Sequence, residues 1–114
     1  MVSHLSIELE TLENKVILRL EGRLDVSSSS ILEKKLNTLM QEKHFFLLLD
    51  FSQIDYLSSA GLRVLLSMSK QLKAKKGALV LFSLSDEVMD VVKVAGFDRI
   101  LQIYTSEQQA LSAI

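Results

Sequence analysis

The sequence predicts an α/β fold: a mixed, mainly parallel sheet opened by a β-hairpin and flanked by about four helices. Three observations predict it. Apolar and polar residues alternate from Leu5 to Glu10 and again from Val16 to Leu20, as in strands with one buried face. Two later runs, Phe45 to Asp50 and Ala78 to Leu84, are almost continuously apolar, as in strands buried on both faces. Between and after them lie segments with apolar residues at helical spacing, and parallel strands joined by such helices need crossover connections. With 114 residues, 48% of them apolar, the chain can fill one core, and a single domain over 1–114 is expected.

Leu5, Ile7 and Leu9 alternate with Ser6, Glu8 and Glu10, and the alternation resumes at Val16, Leu18 and Leu20 after Glu13-Asn14, which gives the hairpin. From Ile31 to Lys43 the period changes, with Leu32, Leu36, Leu39 and Met40 on one helical face. A second helix, roughly 59 to 75, carries Leu62, Leu65, Leu66, Ser69 and Leu72, and ends at a Lys-rich stretch and Gly77. A third, Asp86 to Ala95, turns Val88, Val91, Val92 and Ala95 inward and stops at Gly96. Ile100 to Tyr104 is a last strand and Glu107 to Ala113 a last helix, capped by Ser106 with Gln109 three residues on. The order is β-β-α-β-α-β-α-β-α.

Composition excludes several functions. Thirteen basic against fourteen acidic residues give a net charge of -1, too balanced for a phosphate-backbone binder, so no nucleic-acid partner is expected. The absence of cysteine removes disulfides, thiolate metal sites and a cysteine nucleophile, and fits a reducing cytoplasm. The longest apolar run, Phe45 to Leu49, is far short of the ~20 residues that span a bilayer, and Met1 to Glu10 lacks the pattern of a leader. A soluble, unprocessed protein without a membrane partner is expected.

No catalytic pattern is present. His4 and His44 lie far apart in sequence with no ligand-spaced companions, which argues against a metal or a general base. There is no GxxxxGK[ST] loop, GxGxxG fingerprint or HExxH pair, and Leu57-Ser58-Ser59-Ala60-Gly61 is not the G-x-S-x-G of a nucleophile elbow. The chain is expected not to be an enzyme and to need no cofactor. In the run Ser27 to Ser30, Ser30 with Glu33 has capping-box spacing. In Glu21-Gly22-Arg23-Leu24-Asp25, Gly22 reads as a turn residue and Asp25 as a cap or a solvated acid.

The informative segment is Asp50 to Leu62, where a buried strand runs into a short polar loop and two serines open a helix. Asp55 or Ser58 suffices as its N-cap and Gly61 permits close packing on the sheet, which leaves one serine unaccounted for. A hydroxyl in the positive field of a helix N-terminus is a place where a phosphate is tolerated.

This segment, with Tyr56-Leu57-Ser58-Ser59-Ala60-Gly61-Leu62 at its centre and Arg63-Val64-Leu65-Leu66 after it, resembles the signature of STAS domains, specifically the stand-alone bacterial anti-sigma factor antagonists. The resemblance extends to the Glu21 to Asp25 turn, the Gly77 to Ser83 strand entry, Ala95-Gly96-Phe97 and Ser106 to Leu111. It implies an antagonist that, unphosphorylated, binds an anti-sigma factor that is also a serine kinase and so frees a sigma factor. It also implies that phosphorylation switches the antagonist off and that a metal-dependent serine phosphatase reverses the change. Register with the family motif puts the acceptor on Ser59. The family often has Asp just before the acceptor, where this chain has Ser58, so Ser58 stays the second choice. The resemblance places Asp25, Arg23, Ser58, Ser59, Gly61 and Arg63 at the partner surface, and leaves ATP and Mg²⁺ to the kinase. The alternative from another class is a STAS subunit that is never phosphorylated and serves a larger assembly such as a lipid-transport ABC complex.

Overall fold

A computed structural model describes residues 5–114; His4 and the start of the Met1 to Glu10 segment lie outside them. The elements follow the expected order: β1 (Leu5–Leu12), β2 (Lys15–Leu24), α1 (Val26–Gln41), β3 (Phe46–Leu57), α2 (Ser59–Ala74), β4 (Ala78–Phe82), α3 (Asp86–Val94), β5 (Gln102–Tyr104) and α4 (Glu107–Ala113). They build one five-stranded sheet in the order β1-β2-β3-β4-β5, with β1 antiparallel to β2 and every later pair parallel.

Because each parallel strand is added beside the previous one, three successive right-handed crossovers put α1, α2 and α3 on the same face. There Leu32, Leu36 and Leu39 of α1, Leu62, Leu65, Met68 and Leu72 of α2, and Val88 and Val92 of α3 bury Leu18, Leu49, Phe51 and Leu81 of the sheet. The other face is smaller: α4 brings Ala110, Leu111 and Ile114 onto Ile17, Leu48, Val80 and Phe82. Two-sided burial is why β3 and β4 begin as unbroken apolar runs.

On the α4 face, two positions beyond Ile17, Arg19 forks onto Glu107 of α4 at 2.6 and 3.2 Å, and also reaches Glu10 at 3.0 Å and Asp50 at 3.1 Å. These hydrogen bonds, Glu107 foremost, hold the guanidinium proton more firmly than usual. They tie α4, β1, β2 and β3 to one side chain.

Several boundaries differ from those expected, for identifiable reasons. The first helix starts at Val26, not Ile31, because Asp25 and not Ser30 caps it: Asp25 Oδ1 accepts from the Ser28 amide at 2.9 Å, and Ser28 Oγ accepts from the Asp25 amide at 2.9 Å. Ser30 instead donates to the Ser27 carbonyl. β4 stops at Phe82, where Ser83 takes φ 60°, and β5 begins at Gln102 because Phe97 accepts turn bonds from Ile100 and Leu101. On α3 only Val88 and Val92, one turn apart, reach the core; Val91 and Ala95, expected inside, are exposed. At the end of α2 the left-handed residue is Lys76, at φ 62°. Gly77 serves close approach instead, since a Cβ there would lie 2.0 Å from the Phe45 carbonyl oxygen.

The expected polar loop after Asp50 is strand. β3 continues to Leu57 against β2, with register shifts between Arg19 and Glu21 and between Gly22 and Arg23. Each shift inserts an extra residue in β3, so Phe51, Ile54 and Leu57, three apart in sequence, all reach the same core. Gly22, at φ 120°, sits at the second shift in a conformation that side chains disfavour. Since β4 pairs no further than Asp50 while β1 pairs with β2 as far as Gly22, the ends of β2 and β3 run on past β4 as a ribbon.

Candidate functional site

The ribbon ends in two helix starts. Leu24 is followed by Asp25, the cap of α1, and Leu57 by Ser58, the cap of α2, whose Oγ accepts from the Gly61 amide at 3.1 Å. The strand pairing carries across: the Ser58 amide donates to the Leu24 carbonyl at 2.8 Å. Gly61 closes the junction from the other side. A Cβ on it would meet Leu24 Cβ at 3.2 Å, the Leu24 carbonyl oxygen at 3.2 Å and Leu57 Cδ1 at 2.8 Å. The absent side chain at Gly61 lets the first turn of α2 lie on Leu24, so the two helix N-termini share one corner of the molecule.

The serines at this corner divide cleanly. Ser28 and Ser29 are each 2% exposed and consumed by the α1 start: Ser28 Oγ donates to the Arg23 carbonyl at 2.6 Å, and Ser29 Oγ to the Asp25 carbonyl. Ser58 is half-buried and holds the α2 cap. Ser59, the first residue of α2, is exposed, and its hydroxyl has no hydrogen-bond partner among the described residues. A small neutral hydroxyl thus faces outward where two helix dipoles present their positive ends.

The Asp25 carboxyl is held below the usual carboxylate range, chiefly by the Ser28 amide and then by the Ser28 hydroxyl. Arg23 lies over the Tyr56 ring, 4.3 Å from its centroid, and both are exposed. Arg63, one turn after Ser59, is exposed too and has no ion-pair partner among the described residues. Of the residues singled out from sequence, Arg23, Asp25, Ser58 and Gly61 therefore gather around Leu24, while Ser59 and Arg63 point outward from α2. Gly61 is buried and acts through the shape of the corner.

Two parts of this surface escape a reading of the sequence alone. Tyr56 falls in a segment that reads as loop, whereas the strand register pairs it with Arg23. A shallow groove beside Ser59, lined by Leu62, Asp90, Val91, Val94 and Ala95, stays hidden while Val91 and Ala95 are expected in the core. Val94, 89% exposed, is the signal available in the sequence: it lies off the stripe of Val88 and Val92, so nothing inside can cover it. Among the described residues no group of His, Asp or Glu side chains has metal-holding geometry, and no helix is long and apolar enough to cross a membrane.

The model of the STAS domain matches residues 6–110. This chain belongs to the STAS domain family. The STAS domain described here is 31% identical over 109 residues to BtrV of Bordetella bronchiseptica, which is provisionally named an anti-sigma factor antagonist; the match covers 96% of this chain and 94% of that one. It superposes on an anti-sigma factor antagonist from Mycobacterium paratuberculosis with a TM-score of 0.87 at 19% identity, covering 96% and 93% of the two chains. The phosphorylated form of the Bacillus cell fate determinant SpoIIAA gives a TM-score of 0.72 at 21% identity, covering 95% and 98%. At such identities the structural likenesses establish the STAS fold.

Proposed function

We propose that this STAS domain is an anti-sigma factor antagonist that binds an anti-sigma factor serine kinase while unphosphorylated, frees a sigma factor, and is switched off by phosphorylation of Ser59. The single observation that carries the reading is the division of labour between adjacent serines: Ser58 is committed to the helix cap, and Ser59 is exposed and unengaged. The relative named as an antagonist matches nearly end to end, which supports the role, and SpoIIAA, a structural neighbour, has itself been solved in a phosphorylated form.

The chemistry follows from the surface. Arg23, Asp25, Ser58, Ser59 and Arg63 form the proposed contact face, with Gly61 setting its shape. The kinase supplies ATP and Mg²⁺; Ser59 Oγ attacks the γ-phosphorus, ADP leaves, and the hydroxyl proton passes to a base of the kinase. The product carries about -1.5 to -2 charge where the partner surface fits a neutral hydroxyl. The helix N-termini tolerate that charge in the isolated domain, so the fold persists. In the complex its uncompensated desolvation costs a few kcal/mol, which is orders of magnitude in affinity. A metal-dependent serine phosphatase restores the hydroxyl by hydrolysis. The chain contributes no catalytic group, and the cytoplasm is its proposed compartment.

The test is incubation with the cognate kinase and ATP, with fragmentation mass spectrometry and binding measured in parallel. One phosphate on Ser59, its loss in Ser59→Ala with binding kept, and weak binding of the phosphorylated form are expected. Mapping to Ser58 would correct the acceptor, and full binding by the phosphorylated form would end the proposal.

A further inference from the structure

Arg63 is a cation without an ion-pair partner among the described residues. Arg19 is engaged by three carboxylates and Arg23 by the Tyr56 ring, whereas no carboxylate among the described residues lies within ion-pair distance of Arg63. On a helix, residues four apart are neighbours on one face, so Arg63 stands over the same outward strip as Ser59, with the serine on the N-terminal side.

The elements around Ser59 bring other charges. Asp90 of α3 lines the same groove as Ser59. Asp25 caps α1 next to Leu24, the residue that accepts from the Ser58 amide. Asp55 and Arg23 sit on the ribbon, and Arg23 is held on its ring. A phosphoryl group on Ser59 thus shares its groove with the Asp90 carboxylate, and of the nearby helix donors the Gly61 amide is already taken by Ser58 Oγ. The unengaged cation one turn along α2 is a guanidinium, whose planar fork matches phosphate oxygens in pairs.

We propose that Arg63 is the internal counter-ion of a phosphoryl group on Ser59, drawing it along the outer face of α2 and away from Asp90. The proposal rests on the reading of Ser59 as phosphoacceptor and deepens it. Phosphorylation then does more than add charge: it folds Arg63 down onto the phosphate, so that a guanidinium presented to the partner in the unmodified state is withdrawn in the modified one. Arg63 is a positioning residue in this scheme, and it takes no part in phosphoryl transfer.

The experiment installs phosphoserine at position 59 by genetic encoding, so no kinase is needed, and follows its second ionisation by ³¹P NMR. An adjacent cation favours the dianion, so Arg63→Gln is expected to raise that pKa by about half a unit relative to the phosphorylated parent. Arg63→Lys should recover part of the difference, Asp90→Asn should lower the pKa, and high salt should shrink the effect of Arg63→Gln. Lys75→Gln, which alters an exposed lysine at the opposite end of α2 from Ser59, should leave the titration unchanged. Identical titrations for the parent and for the Arg63→Gln and Lys75→Gln variants would overturn the proposal, even if phosphorylation still abolishes partner binding. If the Arg63 effect is found but the phosphorylated protein binds its partner fully, the counter-ion stands and the switch reading fails.

Discussion

The Ser58 amide and the Leu24 carbonyl, 2.8 Å apart, couple the start of one helix to the residue just ahead of the other. Through that bond, and through the contact of the Gly61 backbone with Leu24, the N-termini of α1 and α2 are fixed relative to each other. In the proposed complex, a partner that reads Ser59 would therefore meet Asp25 and Arg23 in a set arrangement.

The two adjacent serines should respond oppositely to removal. Ser58→Ala deletes the oxygen that accepts from the Gly61 amide and is expected to cost about 1 kcal/mol of folding stability, the usual scale of an N-cap. Ser59→Ala removes an exposed, unengaged hydroxyl and should change stability by less than about 0.5 kcal/mol. Urea denaturation of both variants decides it; a larger loss for Ser59→Ala would reverse the assignment of the cap.

Asp25 should show its role through pH. Its carboxyl is depressed in the fold by the Ser28 amide and hydroxyl, so its stabilising contribution is fully present above the ordinary carboxylate pKa of about 4 and is lost as pH falls through the lower folded value. Asp25→Asn keeps an oxygen for the Ser28 amide but does not titrate. The stability gap between wild type and Asp25→Asn should be visible at pH 7 and close in strong acid, as read by denaturation at each pH. Asp25→Ala loses the cap as well, so binding measured per folded molecule in Asp25→Asn isolates the effect on the partner.

Gly61→Ala tests the shape of the corner. The added methyl meets the Leu24 carbonyl, which is backbone and cannot turn aside as the Leu57 side chain can. The expected loss is about 1 to 3 kcal/mol, as for overpacked sites, with α2 displaced from Leu24. Unchanged stability, together with an unshifted Leu24 amide resonance, would show that the junction has slack.

Much of this is legible in the sequence, for reasons that also explain the rest. Element order can be read because Leu47, Leu48 and Leu49, or Leu32, Leu36 and Leu39, announce strand and helix by period alone. The ribbon cannot, because its apolar residues Phe51, Ile54 and Leu57 fall at a spacing of three, which means a strand only once the bulges against β2 are known. The α1 start is ambiguous because four consecutive serines offer several cap registers, and the choice of Asp25 with Ser28 depends on where β2 ends. At the corner, the surplus of one serine can be counted from sequence, but which serine is spare requires the Gly61 amide. Val91 shows the limit of periodicity: a helix that packs with one stripe of two valines leaves a third apolar residue outside.

The Arg19 cluster makes a prediction far from Ser59. Arg19→Met leaves Glu10, Asp50 and Glu107 together without their cation and should destabilise the fold by about 1 kcal/mol or more, less at high salt, because the groups are partly exposed and screened. Glu107→Gln should cost less than Arg19→Met, since Arg19 keeps Glu10 and Asp50. Hydrogen exchange should then rise first in α4, which the fork holds against the sheet. Equal effects of the two changes at every salt concentration would show that charge plays no part in docking α4.

The strand order has a colloidal consequence. A sheet built by adding strands in sequence always has its first and last strands at its rims, where another copy could join by strand addition. Here the last, β5, is three residues long and offers little to pair with. The first, β1, is longer, but on it Glu8 and Glu10 alternate with Ile7 and Leu9. Two molecules meeting β1 to β1 would set the glutamates of one among those of the other, so the rim that is long enough to recruit a neighbour repels its own kind.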